Sequence, residues 1–184
     1  ITGNPIWFGG GGAIVEIRDW ENNLEWSYEI NDTLQRLHHD ISPMPNGNIL
    51  MIVWDKKTKN ELIAAGRDTS TYKENELHAD YIIEVNPKNN EIVWQWSMWD
   101  HLIQDFDPTK ANFGNIADHP EKIDINFPSV AGGNSWLHTN AIDYNEELDQ
   151  VMISIPTFNE IWILDHSTTT AQATGSSGGL SGKG

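Results

Sequence analysis

Apolar side chains recur at every second position in several short segments, which is the period of a half-buried β-strand. The first two of these segments share an apolar strand, a turn with Asn-Asn and a second strand with an aromatic pair. Glu16 to Glu84 and Trp26 to Trp94 are both offsets of 68, so the register of the repeat is kept. A third segment keeps the strand and the turn. The segments are "AIVEIRDWENNLEWSY" (13–28), "YIIEVNPKNNEIVWQW" (81–96) and "EIWILDHSTTTAQA" (160–173).

Two further segments begin with histidine and have the pattern strand, turn, strand. They are "HHDISPMPNGNILMIVW" (38–54) and "HTNAIDYNEELDQVMISI" (138–155). Pro-Asn-Gly between apolar runs is a strong turn signal. Aligned on His38 and His138, the two copies lie 100 residues apart. The repeating order is therefore histidine strand, strand, strand, aromatic strand, which is typical of a four-stranded β-propeller blade.

This order predicts an all-β fold, a β-propeller fragment of about two four-stranded blades with long inserted loops. The 100-residue spacing exceeds the usual blade of about 40–50 residues, and the inserted loops account for the excess. We expect both chain ends to be cut from something longer, because two blades do not close a ring. The predicted parts of this single partial domain (1–184) are the end of one blade (13–28), one blade (38–96) with an insertion that carries a short helical piece (55–80), a long loop (100–133), the start of the next blade (138–173) and a flexible tail (174–184).

The charge and the composition narrow the function. The formal net charge is -16, with 27 acidic and 11 basic residues, which argues against nucleic acid and against an anionic membrane surface as partners. Cysteine is absent, which excludes disulfides and thiolate chemistry. No apolar run reaches the roughly 18 residues that a membrane span needs. Histidine is therefore the main candidate for chemistry, and we expect no metal.

The histidine segments have matching contexts. His138 follows a Trp-Leu pair and precedes Asn140, while His38 follows a leucine and precedes Asp40. Two such matches suggest that the fold delivers imidazoles to one place. For the histidines of the inserted loops, an exposed or loop-stabilising role is favoured; these are His78, His101 and His119. The run "GGGG" (9–12) lacks the lysine and serine of a phosphate loop, so it is a weak nucleotide signal.

The segments "HHDISPMPNGNILMIVWDKK", "IIEVNPKNNEIVWQWSMWDHLIQDFDPTKANFG" and "WLHTNAIDYNEELDQVMISIPTFNEIWILDHSTTTAQATG" resemble the bacterial aryl-sulfate sulfotransferase family. The resemblance covers essentially the whole chain and is most specific over 136–170. It implies a six-bladed propeller, periplasmic or secreted, that moves a sulfuryl group from a phenolic sulfate to a phenol through a transiently sulfated histidine. It implies no nucleotide donor and no cofactor. The oligomeric state stays open, with a homo-oligomer among the alternatives.

The resemblance also implies site residues. His138 matches a family histidine that binds the sulfate group, and the earlier match is divided between His38 and His39. Imidazoles suit this chemistry because they can donate hydrogen bonds to sulfate oxygens and a proton to the phenolate. Asn140, Asp40 and Arg36 are the expected substrate-binding residues. The family's histidine nucleophile is expected beyond the last residue of the chain.

One position departs from the family pattern. Where the family commonly has an arginine, the segment "SIPTFNE" has Pro156, which carries no charge and no N–H. Either Arg36 or Arg67 compensates, or the activity is weakened or lost. A catalytically silent propeller that binds an aryl ligand or partner is therefore the alternative function, and a sulfatase-like transfer to water is a third. His166 matches a peripheral family position, and a catalytic role for it is disfavoured.

Overall fold

A computed structural model of the chain describes residues 9–128 and 134–183. The end of the predicted long loop (129–133) and the outermost residues of the chain (1–8 and 184) lie outside the described residues. The strands are β1 (Ile14–Arg18), β2 (Leu24–Glu29), β3 (Gln35–Pro43), β4 (Ile49–Thr58), β5 (Glu76–Asn86), β6 (Glu91–Ser97), β7 (Leu102–Ile103), β8 (Ile123–Asp124), β9 (Ala141–Asn145), β10 (Gln150–Ile155) and β11 (Glu160–Asp165). One α-helix, α1 (Lys59–Ala64), and two 3₁₀ turns (Met98–His101 and Ile116–Asp118) complete the described elements.

The strands form three antiparallel sheets in chain order. β1 and β2 make a hairpin, β3–β6 make a four-stranded sheet in sequential order, and β9–β11 make a three-stranded sheet. β7 and β8 form a short parallel pair. The all-β prediction is confirmed, while the propeller ring and its blade count stay predictions.

The four-stranded sheet is buried on both faces. Six consecutive residues of β4, from Ile49 to Trp54, are buried, because alternate side chains enter different cores. Leu50 and Ile52 belong to the larger core, which also takes in side chains of β9–β11. Met51 and Val53 belong to a smaller core shared with β1 and β2. The sheets therefore stack face to face, with the four-stranded sheet in the middle.

The predicted insertion is shorter in the structure than in the sequence interpretation. β4 runs on to Thr58 and β5 begins at Glu76, and these two residues pair across the ladder. Only residues 59–75 leave the sheet. The helical piece is α1, which begins with a capping box in which the Thr58 hydroxyl and the Glu61 carboxylate satisfy each other's backbone N–H groups. The extension of β5 matters for the site, because it adds a buried strand face next to the histidines.

The predicted tail turns back onto β11. The backbone N–H of Leu180 donates to the Ser167 hydroxyl at 2.5 Å, and that of Ser181 donates to the Asp165 carboxylate at 2.7 Å. These contacts attach residues 174–183 to the turn after β11. The flexibility of the tail stays a prediction.

Candidate functional site

The structure brings three histidines together. Nδ1 of His38 lies 2.9 Å from Nδ1 of His39, and the rings of His39 and His138 meet edge-on with centroids 4.6 Å apart. The first two residues are in β3, and the third precedes β9, so the contact joins two neighbouring sheets. The geometry thus places both histidine segments at one site, as their matching contexts suggested.

Unusual backbone conformations present two of these rings. The φ angles of His39 and His138 are 54° and 57°, a left-handed conformation that few residues other than glycine adopt. At His39 the pairing of β3 with β4 is interrupted between Leu37 and Ile41, which is a β-bulge. The shared conformation favours His39, rather than His38, as the counterpart of His138.

His38 lies beneath the open histidines. Its residue surface is 3% exposed, and its ring stacks on Trp54 with centroids 4.1 Å apart. Nε2 of His38 lies 3.6 Å from a carboxylate oxygen of Asp80 on β5. Burial holds the pKa of His38 well below its usual value, and the neighbouring imidazoles of His39, His138 and His78 lower it further. His38 is therefore a neutral imidazole near pH 7.

His39 and His138 are more open to solvent. Burial lowers the pKa of His138, and burial together with the neighbouring His138 lowers the pKa of His39. Both rings are therefore neutral near pH 7. The Ser135 hydroxyl lies 2.9 Å from Nδ1 of His138 and fixes the orientation of that ring.

The glycine run forms one wall of the site. A Cβ atom at Gly10 would lie 2.1 Å from Cε1 of His39, and the φ of Gly10 is 85°, so glycine is required there on both counts. Gly10–Gly12, His39 and Asp40 line an open groove of about 530 Å³. Sequence reasoning considered this run only as a nucleotide signal and missed its packing role.

The three expected substrate-binding residues lie close to the histidines. Asp40 accepts backbone hydrogen bonds from Ile41 at 2.9 Å and Ile142 at 3.1 Å, and the second bond ties β3 to β9. Asn140 is exposed, and its backbone N–H donates to a β10 carbonyl. Arg36 is buried, and its Nε donates to the Gly12 carbonyl. Asp40 and Arg36 thus support the site's framework, and their substrate-binding roles stay predictions.

Pro156 lies in the turn between β10 and β11, beside a residue that supports the site. The hydroxyl of Thr157 is 2.6 Å from the carbonyl oxygen of Leu137 and 2.8 Å from that of Trp136. These two residues directly precede His138. Thr157 is buried. The sequence did not reveal it, because a threonine in a turn gives no indication of a partner 20 residues earlier in the chain.

Arg67 is the other candidate for a compensating cation. Its guanidinium lies over the rings of Tyr72 at 4.6 Å and Trp136 at 5.4 Å, and it donates to the Ile125 carbonyl. Burial lowers its pKa. These contacts hold Trp136, so Arg67 supports the segment that carries His138.

The remaining histidines have other contacts. His166 bridges Glu84 and Asp149, His101 contacts the Ala173 carbonyl, and His119 pairs with Glu121 at the surface. His78 differs from the expectation of an exposed or loop-stabilising residue, because it lies in β5 and is 1% exposed. Its burial follows from the extension of β5 into the predicted insertion. Within residues 9–128 and 134–183, no three His, Cys, Asp or Glu side chains are placed to hold a metal ion.

Comparison with known proteins adds one finding. No curated protein matches the chain. The family model described as Arylsulfotransferase (ASST) matches residues 18–174, which is well over half of the chain and includes all three clustered histidines. The resemblance seen in the sequence is therefore confirmed, and the chain belongs to the arylsulfotransferase family.

Proposed function

We propose that this protein is an aryl-sulfate sulfotransferase, which moves a sulfuryl group from a phenolic sulfate to a phenol through a sulfohistidine and without a nucleotide donor. The observation that carries the proposal is the pair His39 and His138. Their rings come from two repeats and meet at 4.6 Å between centroids, and His39 lines an open groove. Membership of the arylsulfotransferase family supports the same reaction.

The two imidazoles suit the charges of the reaction. A sulfuryl group in transfer carries negative charge on its oxygens, and the departing phenolate needs a proton. The ring N–H group of His138 donates to the sulfuryl oxygens or to the phenolate. A neutral ring nitrogen takes the proton of the incoming phenol. Lowered pKa values keep both rings neutral near pH 7, which leaves a ring nitrogen free to accept.

Several broader properties belong to the same proposal. The stacked antiparallel sheets support a six-bladed propeller, with His39 on β3 and His138 just before β9, the first strands of their sheets in chain order. The substrates are an aryl sulfate and a phenol, and no cofactor takes part. The protein works in the periplasm or outside the cell. Among the described residues, no helix is long and apolar enough to cross a membrane.

The test is a transfer assay on the natural protein at its full length. An aryl sulfate donor and a phenol acceptor are supplied, and sulfated acceptor is quantified for the wild type and for His138→Ala. Transfer that is present in the wild type and lost in the variant supports the proposal. His119→Ala is the matched control, because His119 is partly exposed and pairs with Glu121 at the surface.

A catalytically silent propeller that binds an aryl ligand is the second candidate, and Pro156 favours it. The guanidinium expected at this position would grip the sulfate with two donors, whereas proline offers none. Arg36 and Arg67 both have partners in the framework. Aryl sulfate binding by a folded wild type, without transfer to phenol, would establish this candidate. Release of inorganic sulfate instead would show that water is the acceptor.

A further inference from the structure

A buried carboxylate on β5 lies directly behind the histidines. Asp80 is 2% exposed, and one of its oxygens accepts the backbone N–H of Thr139 at 2.7 Å. The other oxygen, Oδ1, faces Nε2 of His38 at 3.6 Å. Within the part of the chain that the structure describes, neither of these two atoms has a hydrogen-bond partner. Because buried polar atoms without partners are costly, a proton between Asp80 and His38 is the arrangement that satisfies both.

The direction of the next hydrogen bond follows from this proton. Nδ1 of His38 and Nδ1 of His39 are 2.9 Å apart, so one neutral ring must donate and the other accept. A proton on Nε2 of His38, directed at the carboxylate, leaves Nδ1 of His38 without one. His39 must then donate from its own Nδ1. Its Nε2 is left with a free lone pair on the side away from His38.

We propose that Asp80 is a positioning residue, which acts through His38 to fix His39 as the tautomer with its proton on Nδ1 and its lone pair on Nε2. The sequence of contacts is Asp80 to His38 to His39, from β5 through β3 to the groove. A carboxylate that orients an imidazole in this way is a recurring device, because the hydrogen bond of one ring nitrogen decides the state of the other.

The role in the reaction rests on the proposed sulfotransferase function. In the acceptor step, the phenol oxygen forms the new O–S bond while the N–S bond of the sulfohistidine breaks and its electron pair returns to that nitrogen. The phenol proton passes to Nε2 of His39. The imidazolium that forms is stabilised by the Asp80 carboxylate through the intervening His38 ring. In the donor step of the next turnover this proton passes from Nε2 of His39 to the departing phenolate, which returns the ring to its neutral state.

The surroundings of the pair support this assignment. Burial lowers the pKa of His38, and the imidazoles of His39, His138 and His78 lower it further, against the opposing effect of a backbone hydrogen bond with Val53. His38 therefore transmits a hydrogen bond rather than carrying a charge. Burial raises the pKa of Asp80 to about 7, against which the Thr139 contacts work. A tautomer measurement therefore belongs at about pH 8, where the carboxylate form prevails.

The experiment reads the tautomer directly, on the full-length protein labelled with ¹⁵N in its imidazoles. Long-range ¹H–¹⁵N spectra at pH 8 distinguish protonated Nδ1 from protonated Nε2, and the His39 signals are assigned by their loss in His39→Gln. We expect His39 to carry its proton on Nδ1 in the wild type. In Asp80→Asn the carboxamide N–H donates to His38, so the order reverses and His39 becomes protonated on Nε2. Glu84→Gln, four residues away on the same strand, leaves the tautomer of His39 unchanged.

The kinetic expectation is separate from the spectroscopic one. Asp80→Asn lowers kcat by about 10²–10⁴-fold, with KM changed by less than about 3-fold, because the lone pair is lost while substrate contacts remain. A wild-type His39 with its proton on Nε2 overturns the inference, whether or not the protein transfers sulfate. The expected tautomer in a protein without transferase activity supports the inference and refutes the proposed function. If Asp80→Asn fails to fold, the wild-type spectrum alone decides.

Discussion

Two carboxylates lie four residues apart on β5, face the same neighbouring sheet and have opposite surroundings. Asp80 accepts one backbone hydrogen bond and faces the neutral His38. Glu84 accepts hydrogen bonds from the side chains of Asn48 at 2.5 Å and Asn46 at 3.3 Å, and it pairs with His166 at 3.0 Å. Both carboxylates are almost completely buried. The difference therefore lies in the number of donors that each one receives.

The hydrogen-bond donors around each carboxylate determine its pKa. Burial raises the pKa of Asp80 to about 7, since the hydrogen bonds with Thr139 do not replace the lost water. Burial acts on Glu84 in the same direction, but the hydrogen bonds from His166, Asn48 and Asn46 outweigh it and lower the pKa of Glu84. The Glu84 end is a satisfied ion-pair network that joins two sheets. The Asp80 end keeps a poorly solvated carboxylate next to the groove, which is the arrangement expected where a proton must move.

The largest expected effect is a difference in activity between a variant at the Asp80 end of β5 and a variant at the Glu84 end. His39→Gln should lower sulfuryl transfer by about 10²–10⁴-fold, because it removes the ring that accepts and returns the proton. His166→Gln should leave kcat within about 3-fold, since His166 lies at the Glu84 end, where it pairs with Glu84 and Asp149. Steady-state assays at a temperature where both variants are folded check this. Equal losses in the two variants would contradict the division of β5 into a catalytic and a structural end.

The second expected effect is a change in the free energy of unfolding, with opposite signs for substitutions at Glu84 and at Asp80. Glu84→Gln should lower the free energy of unfolding by about 3 kcal/mol, because it leaves the partly buried His166, whose pKa is raised, with a weaker partner. Asp80→Asn should raise it at pH 7 on the order of 2 kcal/mol, because folding no longer requires a carboxylate to lose its hydration. Urea unfolding of both variants and the wild type measures the difference. A loss of stability in Asp80→Asn would show that the carboxylate is structural.

The sequence predicted the strands better than the site. Apolar segments of strand length and the Pro-Asn-Gly turn at 45–47 indicated strands where the structure has β3–β6 and β9–β11, because burial of strand faces selects apolar residues. The histidine segments were also identified, and the structure places them in contact. These features are local, or are repeated along the chain, so they leave a pattern in the sequence.

The supporting residues leave no such pattern. Asp80 lay in a segment interpreted as an inserted loop, and its contact with His38 depends on the continuation of β5 beside β4. The contact of Gly10 with His39 joins chain positions far apart in sequence, and the left-handed backbone of His39 is not encoded by a glycine. Such contacts depend on how sheets pack, which single-sequence periodicity does not determine.

The third expected effect compares two buried threonine hydroxyls, one near the Asp80 end of β5 and one near the Glu84 end. Thr157→Val should cost about 1–2 kcal/mol, because the carbonyl oxygens of Trp136 and Leu137 lose their donor. It should also weaken aryl sulfate binding several-fold, since the segment before His138 loses its support. Thr168→Val should cost a similar amount, because Thr168 donates to Asp165 and accepts from Trp94, but it should leave binding unchanged. Calorimetric titration with an aryl sulfate distinguishes the two.

The smallest expected effect is a pH dependence of the stability, and it has opposite signs for His166 and for His38. Burial lowers the pKa of His166, but the hydrogen bonds with Glu84 and Asp149 outweigh it, so the pKa is raised above its usual value. The folded state then binds this proton more tightly than the unfolded chain does. The resulting stability is fully present below about pH 6.5 and is lost as the pH rises through the folded pKa.

For His38 the sign is reversed, because burial lowers its pKa well below the unfolded value. Its contribution is present above about pH 6.5 and is lost as the pH falls. The difference in unfolding free energy between wild type and His166→Gln should therefore shrink by on the order of 1 kcal/mol as the pH rises from 6 to 9. The difference between wild type and His38→Gln should shrink as the pH falls from 7 to 5. Urea unfolding at each pH measures both differences. Differences that change in the same direction would show that His166 and His38 share one protonation state, because only a charged His166 and a neutral His38 give opposite slopes.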